Sequence, residues 1–214
     1  MLLKGTTRCD PKDVLMSDPD SVPDAVFVAG RLSLDFMNTR CQRLGQPIDL
    51  LGDTQELMDW LRVAESVYDR QFVAQDILGD KRALKKALSL RRGVAELIES
   101  VLAHRPPAAA SVESVNRVLS THPARPQLGY ADAEWYWETS VGNTPDRWLW
   151  EVAVDAADLL CEGDHSLLKR CDGDGCGRVF YDITKNHGRR WCAERCGNRV
   201  KAAAYYHRKR ARET

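Results

Sequence analysis

Apolar side chains return every three or four positions through most of the chain between residues 32 and 161, and this spacing predicts a mainly α-helical body. The longest such pattern runs from about Lys81 to His104, and the pair Pro106-Pro107 ends it. Shorter helical patterns cover residues 32–40, 53–64, 66–78, 111–119 and 144–161. The sequence therefore predicts a multihelical domain.

Polar residues mark the starts of three of these helices. Asp53 stands three residues before Glu56, which is the spacing of a capping box with aspartate as the cap. Ser111 is the predicted cap of the helix that follows the two prolines. Thr144 precedes Pro145, and a threonine cap followed by proline at the first helical position favours a helix start there.

The period of the pattern changes to two in one region. Residues 126–130 and 134–138 alternate and are rich in aromatic side chains, which predicts a small antiparallel β-hairpin. Residues 1–25 contain three prolines and many aspartates and serines, so they are predicted to be a flexible leader. Residues 26–166 are then the helical domain, and residues 167–214 are a separate small module.

Four cysteines dominate that small module. Cys171, Cys176, Cys192 and Cys196 fall as C-x4-C-x15-C-x3-C, and two close pairs separated by a short loop supply the four soft ligands of a tetrahedral zinc ion. Because protein fills all four positions, the spacing indicates one structural zinc ion rather than a catalytic metal. The alternatives are two disulfides, ordinary thiols, or His187 in place of one cysteine.

Elements around the cysteines predict the shape of the module. Residues 178–181 and 189–191 are expected to pair as a hairpin, and a helix is expected to start near Trp191 and carry the last two cysteines. This arrangement is a treble-clef-like zinc finger. The predicted fold class is therefore mainly α: a multihelical N-terminal domain with a small antiparallel β-hairpin, plus a C-terminal treble-clef-like zinc finger.

Charge is distributed unevenly, although 31 basic residues balance 31 acidic ones. Residues 167–214 hold 13 Lys and Arg against 5 Asp and Glu, so the rest of the chain is acidic. A basic module beside an acidic body is typical of a nucleic-acid-binding head. The alternative is a basic tail that is solvated or that docks on the acidic body.

Composition and the N-terminal sequence indicate the cellular compartment of the protein. The chain is 43% hydrophobic and 29% charged, as in globular proteins, and contains no apolar run long enough for a membrane span. The N-terminus lacks the sustained apolar segment of a signal peptide. A reducing cytoplasm is therefore the expected location, and it disfavours disulfides.

The C-terminal module resembles a known family. Cys196-Gly197-Asn198-Arg199 follows Cys192, with Thr-Lys-Asn at 184–186 and Arg-Arg-Trp at 189–191 before it. Over residues 168–210 these runs resemble the CGNR zinc finger. In bacterial proteins described as stress-induced transcription regulators, that finger follows a helical ABATE domain proposed to sense small ligands. Residues 34–39 and 90–92 are similar to that domain, so the resemblance implies a zinc-containing DNA-binding regulator.

The predicted C-terminal helix has one face suited to nucleic acid. At about 100° per residue the cysteines and His207 share the inner face, and Asn198 faces outward. Asn198 is the candidate for an adenine contact, and Arg195 or Arg199 for a guanine contact. The candidates for phosphate, backbone or stacking contacts are Lys185, Arg189, Arg190, Lys201, Arg208, Lys209, Arg210, Tyr181, Tyr205 and Tyr206.

Arg91 lies on the apolar stripe of the longest predicted helix, where an unpaired charge is expensive to bury. Asp35 and Asn38, in the segment similar to the ABATE domain, are the nearest candidates to pair with it. The three residues are predicted either to line a pocket for a small polar ligand or to form an internal Asp–Arg salt bridge. The sequence contains no phosphate loop, HExxH motif or nucleophile elbow, so no enzyme activity is predicted.

These observations together predict a cytoplasmic bacterial transcription regulator that binds double-stranded DNA. Its expected partners are duplex DNA, a small effector on the helical domain and, because one finger covers little DNA, a second copy forming a homodimer. The alternatives are an RNA-binding protein, a zinc-braced protein–protein adaptor, and an enzyme centred on Asp35 and Arg91.

Overall fold

The computed structural model describes residues 27–70, 72, 80–121, 125–131, 134–140 and 146–213. The predicted leader, residues 71 and 73–78 of the predicted helix 66–78, and the Thr144-Pro145 cap lie outside these residues. The predicted separate helix start at residue 66 is wrong, because residues 66–68 continue the preceding helix, which ends where Asp69 takes a positive φ of 49°. None of the described helices is both long and apolar enough to cross a lipid bilayer. In chain order the elements are α1 (Leu32–Met37), β1 (Arg40–Arg43), β2 (Gln46–Asp49), α2 (Thr54–Tyr68), α3 (Lys81–Leu102), α4 (Ala109–Leu119), β3 (Arg125–Ala131), β4 (Glu134–Ser140), α5 (Arg147–Glu162), a 3-10 turn (His165–Leu167), β5 (Leu168–Arg170), β6 (Val179–Tyr181) and α6 (Glu194–Glu213).

Local capping explains where the long helices begin. The Asp53 carboxylate accepts a hydrogen bond from the Glu56 amide at 2.9 Å, so the predicted cap of α2 is confirmed. Asp80 caps α3 in the same way, through an amide of its first turn. The predicted cap at Ser111 is wrong: α4 already starts at residue 109, and the Ser111 hydroxyl donates to the Glu96 carboxylate of α3.

A two-residue turn forms a hairpin that the helical pattern did not predict. α1 ends at Met37, and Arg40, its predicted last residue, is instead the first residue of β1, which pairs antiparallel with β2. Leu44 and Gly45 join the two strands, and both have positive φ (54° and 77°), as a type I′ turn requires. The predicted aromatic hairpin is confirmed as β3 paired with β4.

One hydrophobic cluster runs through both halves of the described chain. α1 lies within it: all six of its residues are buried, and it contacts α3, α5 and β6. The centroid of the Phe36 ring lies 5.3 Å from that of Trp60 and 6.0 Å from that of Trp148. Val179 and Phe180 of β6 are fully buried in the same cluster. The helical part and the C-terminal module therefore pack directly against each other.

The C-terminal sheet differs from the predicted hairpin. β6 pairs antiparallel with β5, and the predicted partner segment, residues 189–191, forms no strand. The main chain of the predicted partner bonds elsewhere: the Arg189 amide donates to the Asp182 carboxylate at 2.9 Å, and the Arg190 carbonyl accepts from the Asp172 amide at 2.9 Å. Leu168 of β5 is instead buried together with Val179 and Phe180 of β6.

Candidate metal centre and nucleic-acid interface

Four cysteine side chains converge beside the β5–β6 sheet. Cys171 directly follows β5, and Cys176 lies in the loop that leads to β6. α6 begins at Glu194, so Cys192 lies just before the helix and Cys196 lies in its first turn. The prediction that both cysteines of the second pair share one helix is wrong, but the first turn still brings them together.

The sulfur geometry fits one tetrahedral ion. All four Sγ atoms lie within 4.8 Å of one another. Cys192 Sγ lies 3.7 Å from Cys176 Sγ and 3.7 Å from Cys196 Sγ. A zinc ion bound by four thiolates at about 2.3 Å places the sulfurs about 3.8 Å apart, whereas a disulfide joins them at about 2.0 Å. His187 is exposed and lies outside this cluster, with its Nδ1 near the Asp182 carbonyl oxygen.

Backbone turns and hydrogen bonds prepare the ligands. Gly175 has a φ of +65°, and the Cys176 amide donates to the Gly173 carbonyl at 2.9 Å, which closes a tight turn between the first two ligands. The Cys192 amide donates to Cys171 Sγ at 3.2 Å. The hydrogen bond with Cys192 lowers the pKa of the Cys176 thiol to about 4. The same hydrogen bond raises the pKa of the Cys192 thiol, and burial raises the pKa of the Cys196 thiol, so these contacts favour a thiolate, the form that binds metal, at Cys176.

Comparison with protein families matches both halves of the chain. The ABATE family, described as "Putative stress-induced transcription regulator", matches residues 30–163. The chain belongs to the ABATE family. The CGNR zinc finger matches residues 168–209, which contain all four cysteines. The cluster is thus a zinc finger that holds one zinc ion, and the predicted cofactor and fold class are confirmed. A search of the curated proteins finds no match to the chain.

In this ABATE-family protein, α6 presents one face to solvent. Cys196 is buried and Val200 and Ala203 are half-buried on the inner face, as the helical spacing predicts, while the His207 side chain lies outside the described residues. Tyr205 and Tyr206 are 58% and 65% exposed, which is high for aromatic side chains. The exposed residues of the predicted interface are Lys185, Arg190, Arg195, Asn198, Lys201, Tyr205, Tyr206, Arg208, Lys209 and Arg210.

Arg189 has a different environment from the one predicted for a phosphate contact. It is half-buried, its Nη2 donates to the carbonyls of Val28 (2.7 Å) and Cys192, and its Nε donates to the Trp191 carbonyl at 3.0 Å. Its guanidinium also lies 4.5 Å from the centre of the Phe180 ring. These contacts connect the zinc finger to the segment before α1, so they assign Arg189 a structural role.

Two further arginines that were predicted to contact nucleic acid also bind partners within the protein. Arg190 Nε forms a 2.8 Å ion pair with Asp172, but its side chain remains 66% exposed. Arg199 Nη2 donates to the Asp174 carbonyl at 3.1 Å and lies 3.8 Å from Cys196 Sγ. The Arg199 contacts stabilise the loop between the first two zinc ligands.

Arg91 forms an internal salt bridge, with a partner other than the predicted one. Its two terminal nitrogens each lie 2.7 Å from an oxygen of Asp49, and Nη1 also donates to Thr39 Oγ1 at 2.9 Å. This bidentate pair satisfies the buried charge. The predicted partner Asp35 is wrong, because Asp49 lies on the β1–β2 hairpin, which the sequence pattern does not predict.

Asp35 and Asn38 also bind partners within the protein. The Asp35 carboxylate accepts hydrogen bonds from the amides of Val28 and Ala29, at 2.9 Å each, and from the Tyr68 hydroxyl. Burial raises the pKa of Asp35 to about 7, although these hydrogen bonds oppose the shift. Asn38 bonds to the main chain of β6, so the three residues do not converge on one another. Ligand binding by them stays a prediction.

Asp182 is a structural residue that the sequence analysis missed. Its side chain is fully buried, and it accepts hydrogen bonds from Lys169 Nζ (2.7 Å), from the Thr184 amide and hydroxyl, and from the Arg189 amide (2.9 Å). Although burial favours the neutral acid, these bonds lower the pKa of Asp182. The spacing Asp-x-Thr is a local signal for such a turn.

Proposed function

We propose that the protein binds duplex DNA through the outer face of α6 and regulates transcription. The observation that carries this proposal is the exposed cationic face of a helix anchored by zinc at its first turn. α6 has 20 residues, so it extends over about 30 Å. Between Asn198 and Arg210 it contains five basic residues and no acidic one, and Ala202 to Ala204 keep it slim enough for a major groove about 12 Å wide.

The proposed roles of the side chains follow from their positions on this face. Asn198 is exposed near the anchored end, where it can form a bidentate contact with adenine. Lys201 and Arg208 are exposed along the same face, where they can contact phosphates. Lys201 Nζ lies 5.9 Å from the centre of the Trp191 ring, a contact that orients the side chain beside the zinc site.

The salt dependence of DNA binding tests the proposal. Fluorescence anisotropy with labelled duplexes selected from genomic DNA gives the affinity at several salt concentrations. K201A and R208A are each expected to weaken binding and to reduce the slope of log affinity against log salt by about one. Lys85 is an exposed lysine of α3, so K85A serves as the matched control. N198A is expected to relax sequence preference. Equal affinity of the K201A/R208A double variant and K85A would exclude this face as the interface.

RNA is the second candidate partner, because of the two tyrosines. The Tyr205 and Tyr206 rings are exposed and lie 5.8 Å apart, edge to face. Exposed aromatic rings beside cations stack on unpaired bases. Competition of single-stranded RNA against the labelled duplex separates the two candidates. Weaker competition by RNA supports DNA as the partner, and stronger competition supports RNA.

We further propose that the helical domain controls the finger and that two copies act together at paired half-sites. Control of the finger by the helical domain is supported by hydrogen bonds between β6 and the segments before and after α1. The Tyr181 amide donates to the Ala29 carbonyl at 2.8 Å, and the Val179 amide donates to the Asn38 side chain. A dimer enlarges the small DNA contact of one finger. Sedimentation of the protein with a two-site duplex tests the stoichiometry, and a single bound chain contradicts it.

A further inference from the structure

Four arginines from two parts of the molecule line one small cavity, which we call the arginine cavity. Arg43 comes from β1, Arg178 directly precedes β6, and Arg195 and Arg199 come from α6. The volume is about 140 Å³, comparable with four or five waters at about 30 Å³ each. No acidic residue stands among the described residues that line it, so the guanidinium charges lack a carboxylate partner there.

Buried donors at the arginine cavity lack acceptors. Arg178 is only 3% exposed, and its guanidinium lies near the thiols of Cys41 and Cys192. Its Nε and Nη2 still have no hydrogen-bond partner within the described chain. Arg199 Nε is likewise buried without a partner among those residues. Buried polar groups are rarely left unsatisfied, because each costs free energy on transfer from water. A ligand with several acceptor oxygens satisfies these donors.

The zinc centre does not neutralise the arginines. Four thiolates and one Zn²⁺ carry a net charge of about two negative units, whereas four guanidinium groups carry about four positive ones. The surroundings of the cavity therefore keep an excess of positive charge with zinc bound. The lining groups select an anion.

The cavity exists because the β1–β2 turn docks on the loop between the first two zinc ligands. The Gly45 amide donates to the Gly175 carbonyl at 3.1 Å. A Cβ at Gly175 would lie 2.3 Å from the Gly45 nitrogen, so a larger residue there would push the turn away. This close contact holds Arg43 of the helical domain beside the arginines of the finger. An anion in the cavity is thus held by both parts of the protein.

We propose that the arginine cavity binds a phosphate group, between the β1–β2 hairpin of the ABATE domain and the zinc finger. Planar guanidinium groups bind phosphate through pairs of charge-assisted hydrogen bonds, and phosphate oxygens provide enough acceptors for several arginines at once. The phosphate belongs either to a small phosphorylated ligand or to the backbone of bound DNA. The site itself does not require the DNA binding proposed above.

Titration calorimetry of the zinc-loaded full chain with inorganic phosphate and with pyrophosphate tests the proposal. Ionic strength is held constant with chloride, so that general screening does not contribute. The wild type is expected to bind one anion per chain, and R43A and R195A are expected to weaken binding at least tenfold. Both arginines are exposed, and zinc content verifies that the finger stays folded. Arg82 is an exposed arginine of α3, and R82A is the matched control.

The arms of this experiment distinguish the sources of the phosphate. If the free anion binds saturably, and if R43A weakens this binding but R82A does not, the cavity is a site for a small ligand. If the free anion does not bind, but R43A loses more duplex affinity than R82A, the cavity holds a phosphate of the DNA backbone. The reason is that Arg43 lies outside the finger. Anion binding that R43A and R195A leave unchanged overturns the proposal, as does the absence of both effects. Anion binding without DNA binding overturns the proposed function alone.

Discussion

Asn38 provides the sharpest test of how the two parts of the protein are joined. Its Nδ2 donates to the Val179 carbonyl at 2.7 Å, and its Oδ1 accepts from the Val179 amide at 3.1 Å. Asn38 is 1% exposed and Val179 is fully buried, so water cannot replace these bonds. The side chain thus continues the edge of the C-terminal sheet onto the end of α1.

Substitution of Asn38 by alanine removes both bonds and leaves two buried main-chain groups of Val179 unsatisfied. Each such group costs about 1–3 kcal/mol, so N38A is expected to lose about 2–6 kcal/mol of unfolding free energy. Asn38 has φ −69° and ψ −7°, a conformation that alanine adopts freely, so backbone strain does not contribute. A loss of this size is a large part of the stability of an ordinary domain.

Denaturant unfolding with saturating zinc measures the loss, and hydrogen exchange locates it at the Val179 amide. Asn116 is exposed in α4, so N116A is the control and is expected to leave stability unchanged or slightly raised, since alanine favours helix. If N38A lost less than about 1 kcal/mol and the Val179 amide exchanged as slowly as in the wild type, the reasoning on unsatisfied groups would be refuted.

Three further predictions concern the pH dependence of stability, the contact of Arg189 between the two parts of the protein, and the zinc ion. The folded-state pKa of Asp35 is raised to about 7, so the stability that its protonated carboxyl contributes is complete below about pH 4 and is lost as pH rises through 7. The unfolding free energy of the wild type should therefore fall by roughly 2–3 kcal/mol between about pH 5 and pH 8, and D35N should remove this fall. The same dependence on pH in D35N and the wild type would contradict this prediction. R189A should lower the unfolding free energy by about 1–3 kcal/mol, whereas R208A should not, as measured by denaturant unfolding; equal effects would remove the structural role of Arg189. Elemental analysis should find one zinc ion per chain in the wild type and in C161S, and none in C176S. Zinc retained by C176S as well would mean that the ion is bound outside the four-cysteine cluster.

The helices and the zinc ligands followed from local signals. Asp53 caps α2 where the capping box predicted, and the repeat of apolar residues after Lys81 predicted α3 within two residues of its end. Such signals are local because each helix places neighbours three and four positions apart on one face. The cysteine spacing predicted the ligand set, because four thiolates so close in sequence require only a tight turn and one helical turn to meet.

The strand pairings and several side-chain roles depended on contacts between segments distant in sequence. The same apolar run of β6 fits several partners, and the choice of β5 depends on which pair can bury its side chains against α1. Likewise the sequence indicates a phosphate contact for Arg189 and a guanine contact for Arg199, but in the folded protein nearby carbonyls accept hydrogen bonds from Arg189 and from Nη2 of Arg199. The sequence by itself determined the helices, the zinc ligands and the cationic face of α6. Only the tertiary structure decided which cations are engaged and which, such as Arg178, keep buried N–H donors without a hydrogen-bond partner among the described residues, because burial and hydrogen bonding are properties of neighbours in space.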